Sequence, residues 1–238
     1  MEMSALMNKH RRLDQTLASF GYGSRREVRA IIASGQVRVK GQIMDVEAAK
    51  VNPHDVTVRD APLEAPDGLL AIFHKPTGCV CTHSDGDGPT IYELLPPRWL
   101  LRNPPVTSVG RLDKGTSGLL LITDQGQLVQ RWTSPKAEVE KTYEVTVDKP
   151  LDDSLRSAFS SGTLLLRGED KPCLPARLEI VDAHHARLVI TEGRYHQVRR
   201  MFASQGWHVA ALHRSRFGDF TLCGIAEGEW KMLDVPAK

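Results

Sequence analysis

The sequence predicts an α+β fold in two unequal parts, a small basic module of two helices and a hairpin, then a larger domain dominated by strands. Three observations carry this reading. Two short helical patterns, separated by Gly21 and Gly23, precede an alternating Val37-Arg38-Val39 run. A stretch rich in Pro and acid, residues 61–67, then marks a boundary. Beyond it, extended apolar runs outnumber helical ones. A chain of 238 residues, 41% hydrophobic and 25% charged, has material for one large or two unequal packed cores.

In chain order, residues 1–10 read as a leader. Leu13, Leu17 and Phe20 fall at helical spacing. Ser24 and Glu27 form a capping-box pattern that opens a second helix, which buries Val28, Ile31 and Ile32, exposes Arg25, Arg26 and Arg29, and ends at Gly35. A hairpin turns at Lys40-Gly41, and residues 51–58 add an extended piece. From Lys9 to Lys40 there are eight Lys/Arg against two acids, whereas from Gly41 to Asp67 there are two against six. That asymmetry gives the N-terminal part a basic face suited to nucleic acid.

After the boundary, Leu69–Phe73 reads as a strand entering a turn at Lys75-Pro76, and residues 78–82 continue extended. Residues 83–89 are a polar Gly/Asp loop without the ligand ladder of a calcium-binding hand. Val106–Val109 and Leu119–Ile122 read as strands around the loop GRLDKGTSG, residues 110–118. In that loop Asp113 sits between Arg111 and Lys114, and on its own it reads as a turn aspartate bonding its local backbone. A helix is expected from Asp124 to Trp132, a strand over 140–147 and a helix over 152–159. Strands are expected over 164–166, 176–181 and 186–191. Tyr195–Ser204 reads as a helix with the stripe Val198, Met201 and Phe202, followed by a short extended piece at 209–212. Tyr143, on a strand with Lys141 and Val145, reads by itself as core.

Composition excludes several classes. Cys79, Cys81, Cys173 and Cys223 form no metal or redox spacing and read as reduced structural thiols, the first two on one face of a strand. His196, His208 and His213 lack a coherent metal spacing, so no metal site is expected. There is no secretory signal pattern and no apolar run of membrane-spanning length. A soluble cytoplasmic protein is the expectation.

The run RRLDQTLASFGYGSRREVRAIIASGQVRVKGQ resembles the S4-like RNA-binding module, over residues 11–60. The resemblance makes Arg12, Arg25, Arg26, Arg38 and Lys40 candidates for phosphate contacts, which position a protein on RNA but carry little sequence information. The stretches VGRLDKGTSGLLLITDQG, EKTYEV, EGRYHQVRRMF and ALHRSRFG resemble, in the same order, the RsuA-type ribosomal RNA pseudouridine synthases. That resemblance implies a catalytic domain over 68–238 built on a mixed, largely antiparallel sheet with flanking helices and a cleft across it. It implies that Asp113 is the catalytic carboxylate, Tyr143 the aromatic packed on the target uracil and Arg199 the basic partner paired with Asp113. By the same resemblance Arg111 displaces the target base, Leu212 walls the pocket, and Arg194 and His196 are weaker candidates for substrate contacts.

The implied reaction turns uridine into pseudouridine with no net redox change, and no cofactor is expected. The implied partner is ribosomal RNA or a partly assembled small ribosomal subunit, met by a monomer. The stretch around Lys171-Pro172 and PARLEI favours the small-subunit enzyme over large-subunit ones. A large-subunit uridine is the alternative target within the same family, and two readings from other classes are weighed beside it. A non-catalytic assembly factor would need no Asp113, Tyr143 and Arg199 set. A glycosidase would need a second carboxylate at a defined distance, and nothing in the sequence puts Asp124 or Glu140 there.

Overall fold

The computed structural model describes residues 10–84, 86 and 88–236, so nine residues of the expected leader lie outside the described ones. At the N-terminal end β1 (Arg11–Arg12) runs into α1 (Leu13–Ser19) and α2 (Arg25–Ala33). The Ser24 amide donates to Glu27 Oε2 at 2.7 Å, and the Glu27 amide donates back to Ser24 Oγ at 3.4 Å. That reciprocal pair satisfies two of the helix's orphan donors. β2 (Val37–Val39), β3 (Gln42–Ile43), β5 (Val56–Val58) and β6 (Ala61–Pro62) form a sheet in the order β3-β2-β5-β6, while β4 (Lys50–Val51) pairs with β1. Leu13, Leu17, Val28, Ile32, Val37 and Val56 are fully buried between these elements. The extended piece expected over 51–58 is broken by a 3-10 turn at Pro53–Asp55, where the Asn52 side chain accepts from the His54 amide. β6 falls within the stretch expected to be a linker.

The second part is built on β7 (Leu70–Lys75), β8 (Thr107–Ser108), β9 (Ser117–Thr123), β10 (Lys141–Val147), β11 (Arg177–Ile180), β12 (His185–Ile190), β13 (Val209–Phe217), β14 (Phe220–Thr221) and β15 (Trp230–Met232). The spatial order is β11-β12-β10-β13-β9-β7-β15, with β8 on β9 and β14 on β13. Of these pairings one is parallel, β13 with β9, so the sheet is mixed and largely antiparallel as expected. α3 (Pro97–Leu100), α4 (Gly126–Thr133), α5 (Ser154–Ser160) and α6 (Gln197–Ser204) flank it. Alternation along β9 sends Leu120 and Ile122 into the main core with Phe159, Met201 and Phe202, and Leu119 and Leu121 into a smaller one beneath Val129 and Trp132 of α4.

The parallel contact joins His213 to Ser117 and Arg214 to Gly118. A Cβ on Gly118 would lie 2.3 Å from the Arg214 carbonyl oxygen, and the φ of +117° is itself suited to glycine. Close backbone approach is therefore what the last glycine of the loop motif supplies.

Several expectations are corrected. The piece at 209–212 is the start of a nine-residue strand, interrupted where the register jumps from Tyr143↔Arg214 to Thr142↔Arg216. Residues 164–166 form no strand; Leu164 accepts from the Cys173 amide in an irregular segment. Cys79 and Cys81 flank an isolated bridge, Val80↔Thr90, rather than lying in a strand. The helix expected from Tyr195 begins at Gln197, because His196 adopts a left-handed conformation at φ 49°.

The two parts meet along residues 98–103. The Asn103 amide donates to Ser19 O at 3.0 Å, Arg98 lies over the Tyr22 ring and Arg102 over the Phe20 ring. Arg102 is buried and pairs with the half-buried Asp124 at 2.8 Å. Among the described residues no helix is long and apolar enough to cross a membrane.

Candidate active site

The loop between β8 and β9 is held almost entirely by its backbone. Lys75, the last residue of β7, is fully buried, and its Nζ donates to the carbonyls of Pro76 at 2.9 Å, Asp113 at 3.1 Å and Thr116 at 2.9 Å. The Thr116 amide donates to Asp113 O at 3.0 Å and the Gly78 amide to Lys114 O at 2.8 Å. Cys81 Sγ donates to Leu112 O at 3.4 Å, and the Leu112 side chain enters the main core. Burial lowers the pKa of Lys75 and raises those of Cys79 and Cys81. The backbone is thus clamped while the Asp113 side chain stays 35% exposed and Arg111 points to solvent.

α6 and β13 bring the remaining candidates to this loop. His196 Nε2 lies 3.4 Å from Asp113 Oδ1. Leu112, the neighbour of Asp113, belongs to the same buried core as Tyr143, Val198 and Leu212. Arg199 donates from Nη1 to Val209 O at 2.7 Å and from Nη2 to Gly115 O at 2.8 Å. The guanidinium therefore ties α6 to β13 and to the loop's backbone. What faces the Asp113 carboxylate is the His196 ring, charged only when protonated, and the expected Arg199–Asp113 ion pair is not among those formed by the described residues. The physical reason is that two carbonyls already take the ends of the Arg199 fork.

Arg194 is also spent internally, with Nε on Glu192 at 3.1 Å, Nη1 on Lys171 O at 2.6 Å and Nη2 on Pro172 O at 2.6 Å. A guanidinium so committed buttresses the turn into α6 instead of reaching outward, so the expected substrate contact of Arg194 is not favoured by its geometry. His196, two residues further on, faces the carboxylate.

The N-terminal cations belong to the first part of the chain. Arg25 and Arg26 are exposed on the first turn of α2. Arg12 pairs with Asp14 at 2.9 Å, Arg38 with Asp60 at 3.2 Å and Lys40 with Asp55 at 3.8 Å. A cleft of about 410 Å³ is lined by Arg12, Arg25 and Arg29 with Asn103 from the second part. Among the described residues no three His, Cys, Asp or Glu side chains gather as a metal site; Asp85 and Asp87 of the polar loop lie outside the described residues.

Sequence reasoning missed Lys75, for which the visible signal was a lysine closing the apolar run LLAIFHKP. It also missed the approach of His196 to Asp113, which depends on a left-handed residue that no periodicity reveals.

The chain matches the family model described as RNA pseudouridylate synthase over residues 70–204 and the S4 domain model over residues 11–56. It is 41% identical over 227 residues to ribosomal small subunit pseudouridine synthase A of Escherichia coli, covering 93% of this chain and 96% of that one. It is 40% identical to the protein of that name from Haemophilus influenzae, covering 93% and 95%. A solved structure described as a pseudouridylate synthase superposes with a TM-score of 0.65 at 38% identity, covering 94% of this chain and 96% of its own. With a clamped loop presenting one carboxylate, whose neighbour Leu112 shares a core with Tyr143 and Leu212, and relatives of this kind along nearly its whole length, the chain belongs to the RNA pseudouridylate synthase family.

Proposed function

We propose that the protein converts a specific uridine of the small-subunit (16S) ribosomal RNA into pseudouridine, with Asp113 as the catalytic carboxylate. The reaction breaks the bond from C1′ to N1, turns the uracil, and joins C1′ to C5. C5 then loses its proton and N1 gains one, so the product is an isomer of the substrate. Whether Asp113 adds to the sugar or removes a sugar proton, it acts as a carboxylate held at a fixed place.

The observation that carries this reading is the clamped loop, whose backbone is fixed by Lys75, Thr116, Gly78 and Cys81 while the carboxylate remains accessible. A reacting group must be positioned before the substrate arrives, and rigid backbone supplies that. The target nucleotide must leave its stack, at a cost of a few kcal/mol, to reach such a carboxylate. Arg111, exposed two residues away, is suited to occupy the space the base vacates. Tyr143 and Leu212 line the apolar side on which the uracil rests, and Arg199 acts as a positioning residue through Gly115. Arg12, Arg25, Arg26, Arg38 and Lys40 are read as phosphate contacts that bring the N-terminal module, residues 11–60, onto RNA, a partner met where ribosomes are assembled in the cytoplasm.

Carbodiimide mapping of ribosomal RNA from a deletion strain tests the proposal. The wild-type gene should restore a pseudouridine in 16S rRNA and Asp113→Asn should not. Restoration by the Asn variant would remove Asp113 from the chemistry. A pseudouridine pattern that does not depend on the gene at all would favour the assembly-factor reading.

A further inference from the structure

Tyr195 is 75% exposed, the one aromatic among the exposed large apolar side chains of the described residues. It adjoins the Asp113 site through His196. One face of its ring is stacked on His196, with centroids 4.0 Å apart and planes 14° from parallel. His196 is in turn 3.4 Å from the Asp113 carboxylate. The backbone here is fixed, since Arg200 Nη1 donates to Tyr195 O at 3.0 Å and pairs with Glu169 at 2.7 Å. The result is a two-ring stack beside the carboxylate, with its second ring, Tyr195, largely exposed.

Exposing that much of a tyrosine gains nothing for the fold, and its outer face has no partner within the chain among the rings described. Flipping a nucleotide into the Asp113 site deprives its neighbour in the strand of a stacking surface. A flat ring beside the site replaces that surface, and aromatic stacking accepts any base. We propose that Tyr195 is the stacking platform for the unpaired nucleobase next to the target uridine. The inference rests on the function proposed above.

The test uses a 16S rRNA fragment containing the uridine that the wild-type enzyme modifies, with 2-aminopurine placed on either side of it. Wild type, Tyr195→Phe and Tyr195→Trp should quench the probe at one of the two positions, whereas Tyr195→Ala and Tyr195→Leu should not. KM for the fragment should rise about 5- to 150-fold in the Ala and Leu variants, the range that one base–aromatic stack supplies, with a much smaller change in kcat. Because the side chain is exposed, thermal midpoints should be unchanged, and the Leu variant retains apolar bulk if the Ala variant does not. Wild-type KM and wild-type quenching in the Leu variant would overturn the platform while leaving the proposed function intact. A wild-type enzyme that forms no pseudouridine in 16S rRNA would overturn the function, and this inference with it.

Discussion

Burial lowers the pKa of Lys75, and what keeps its ammonium in place is a set of three backbone carbonyls, two of them from the loop that carries Asp113. Lys75→Met would keep the apolar stem and strip all three acceptors of their donor. Leaving buried acceptors unsatisfied costs about 1–3 kcal/mol each before relaxation, so a net loss of about 2–4 kcal/mol is expected in urea unfolding, with a fall in kcat as the loop loosens. Unchanged stability and rate would mean the clamp does not position the loop. Lys141 makes a different prediction. Burial, with Arg214 nearby, lowers its pKa to about 8 from 10.5. Between those two values the unfolded chain holds more protons than the folded one, so the Lys141 contribution to stability rises with pH. Lys141→Met should therefore show its largest gain relative to wild type below pH 8, and that gain should shrink by pH 10. The raised cysteine pKa values act oppositely near pH 9 but are common to both proteins and cancel in the difference. A pH-independent difference would contradict the shift. At this scale the sequence was a partial guide. That Asp113 lies on a loop between two strands and Tyr143 on a strand was legible in the sequence, but the partner of Arg199 was not. A guanidinium can choose a carboxylate or a carbonyl, and only the packing of α6 on β13 decides which is in reach.

At the scale of elements, the legible features were those encoded locally. Ser24 and Glu27 lie three residues apart and determine each other's bond, so the start of α2 could be read directly. β13 was read too short because the extra residue in its register with β10 breaks the alternation on which the reading depends. The start of α6 was placed two residues early because Tyr195 fits the apolar spacing of Val198 and Phe202 while His196 takes a left-handed backbone. Gly118 shows how one residue fixes an element pair. Gly118→Ala forces a Cβ against the Arg214 carbonyl at a φ that disfavours it, which should cost about 2–5 kcal/mol by strain and overpacking together. Loss of the β9–β13 contact would also shift the loop, so activity should fall even where the variant folds. A Gly118→Ala protein with wild-type thermal stability would show that the close approach is not needed.

At the scale of the whole molecule, the N-terminal module rests on the second part through Phe20, Tyr22 and Ser19 against Arg98, Arg102 and Asn103. The charge asymmetry of the first sixty-seven residues was visible in sequence, whereas this contact was not, because residues 98–103 carry no motif. The consequence is a basic surface carried beside the catalytic domain, with Arg25 and Arg26 free to meet phosphates on the exposed turn of α2. Arg25→Ala with Arg26→Ala should weaken RNA binding and make the slope of log K against log salt shallower by about 1–2, read by filter binding over a salt series. An unchanged slope would exclude them as phosphate contacts. A clamped Asp113 that performs the isomerisation can be tested by tritium release from 16S rRNA labelled at C5 of uridine, because C5 loses its hydrogen when it joins C1′. Asp113→Asn should bind the RNA as tightly as wild type yet release tritium slower by about 10²–10⁴-fold or more. Release within tenfold of the wild-type rate would contradict the account.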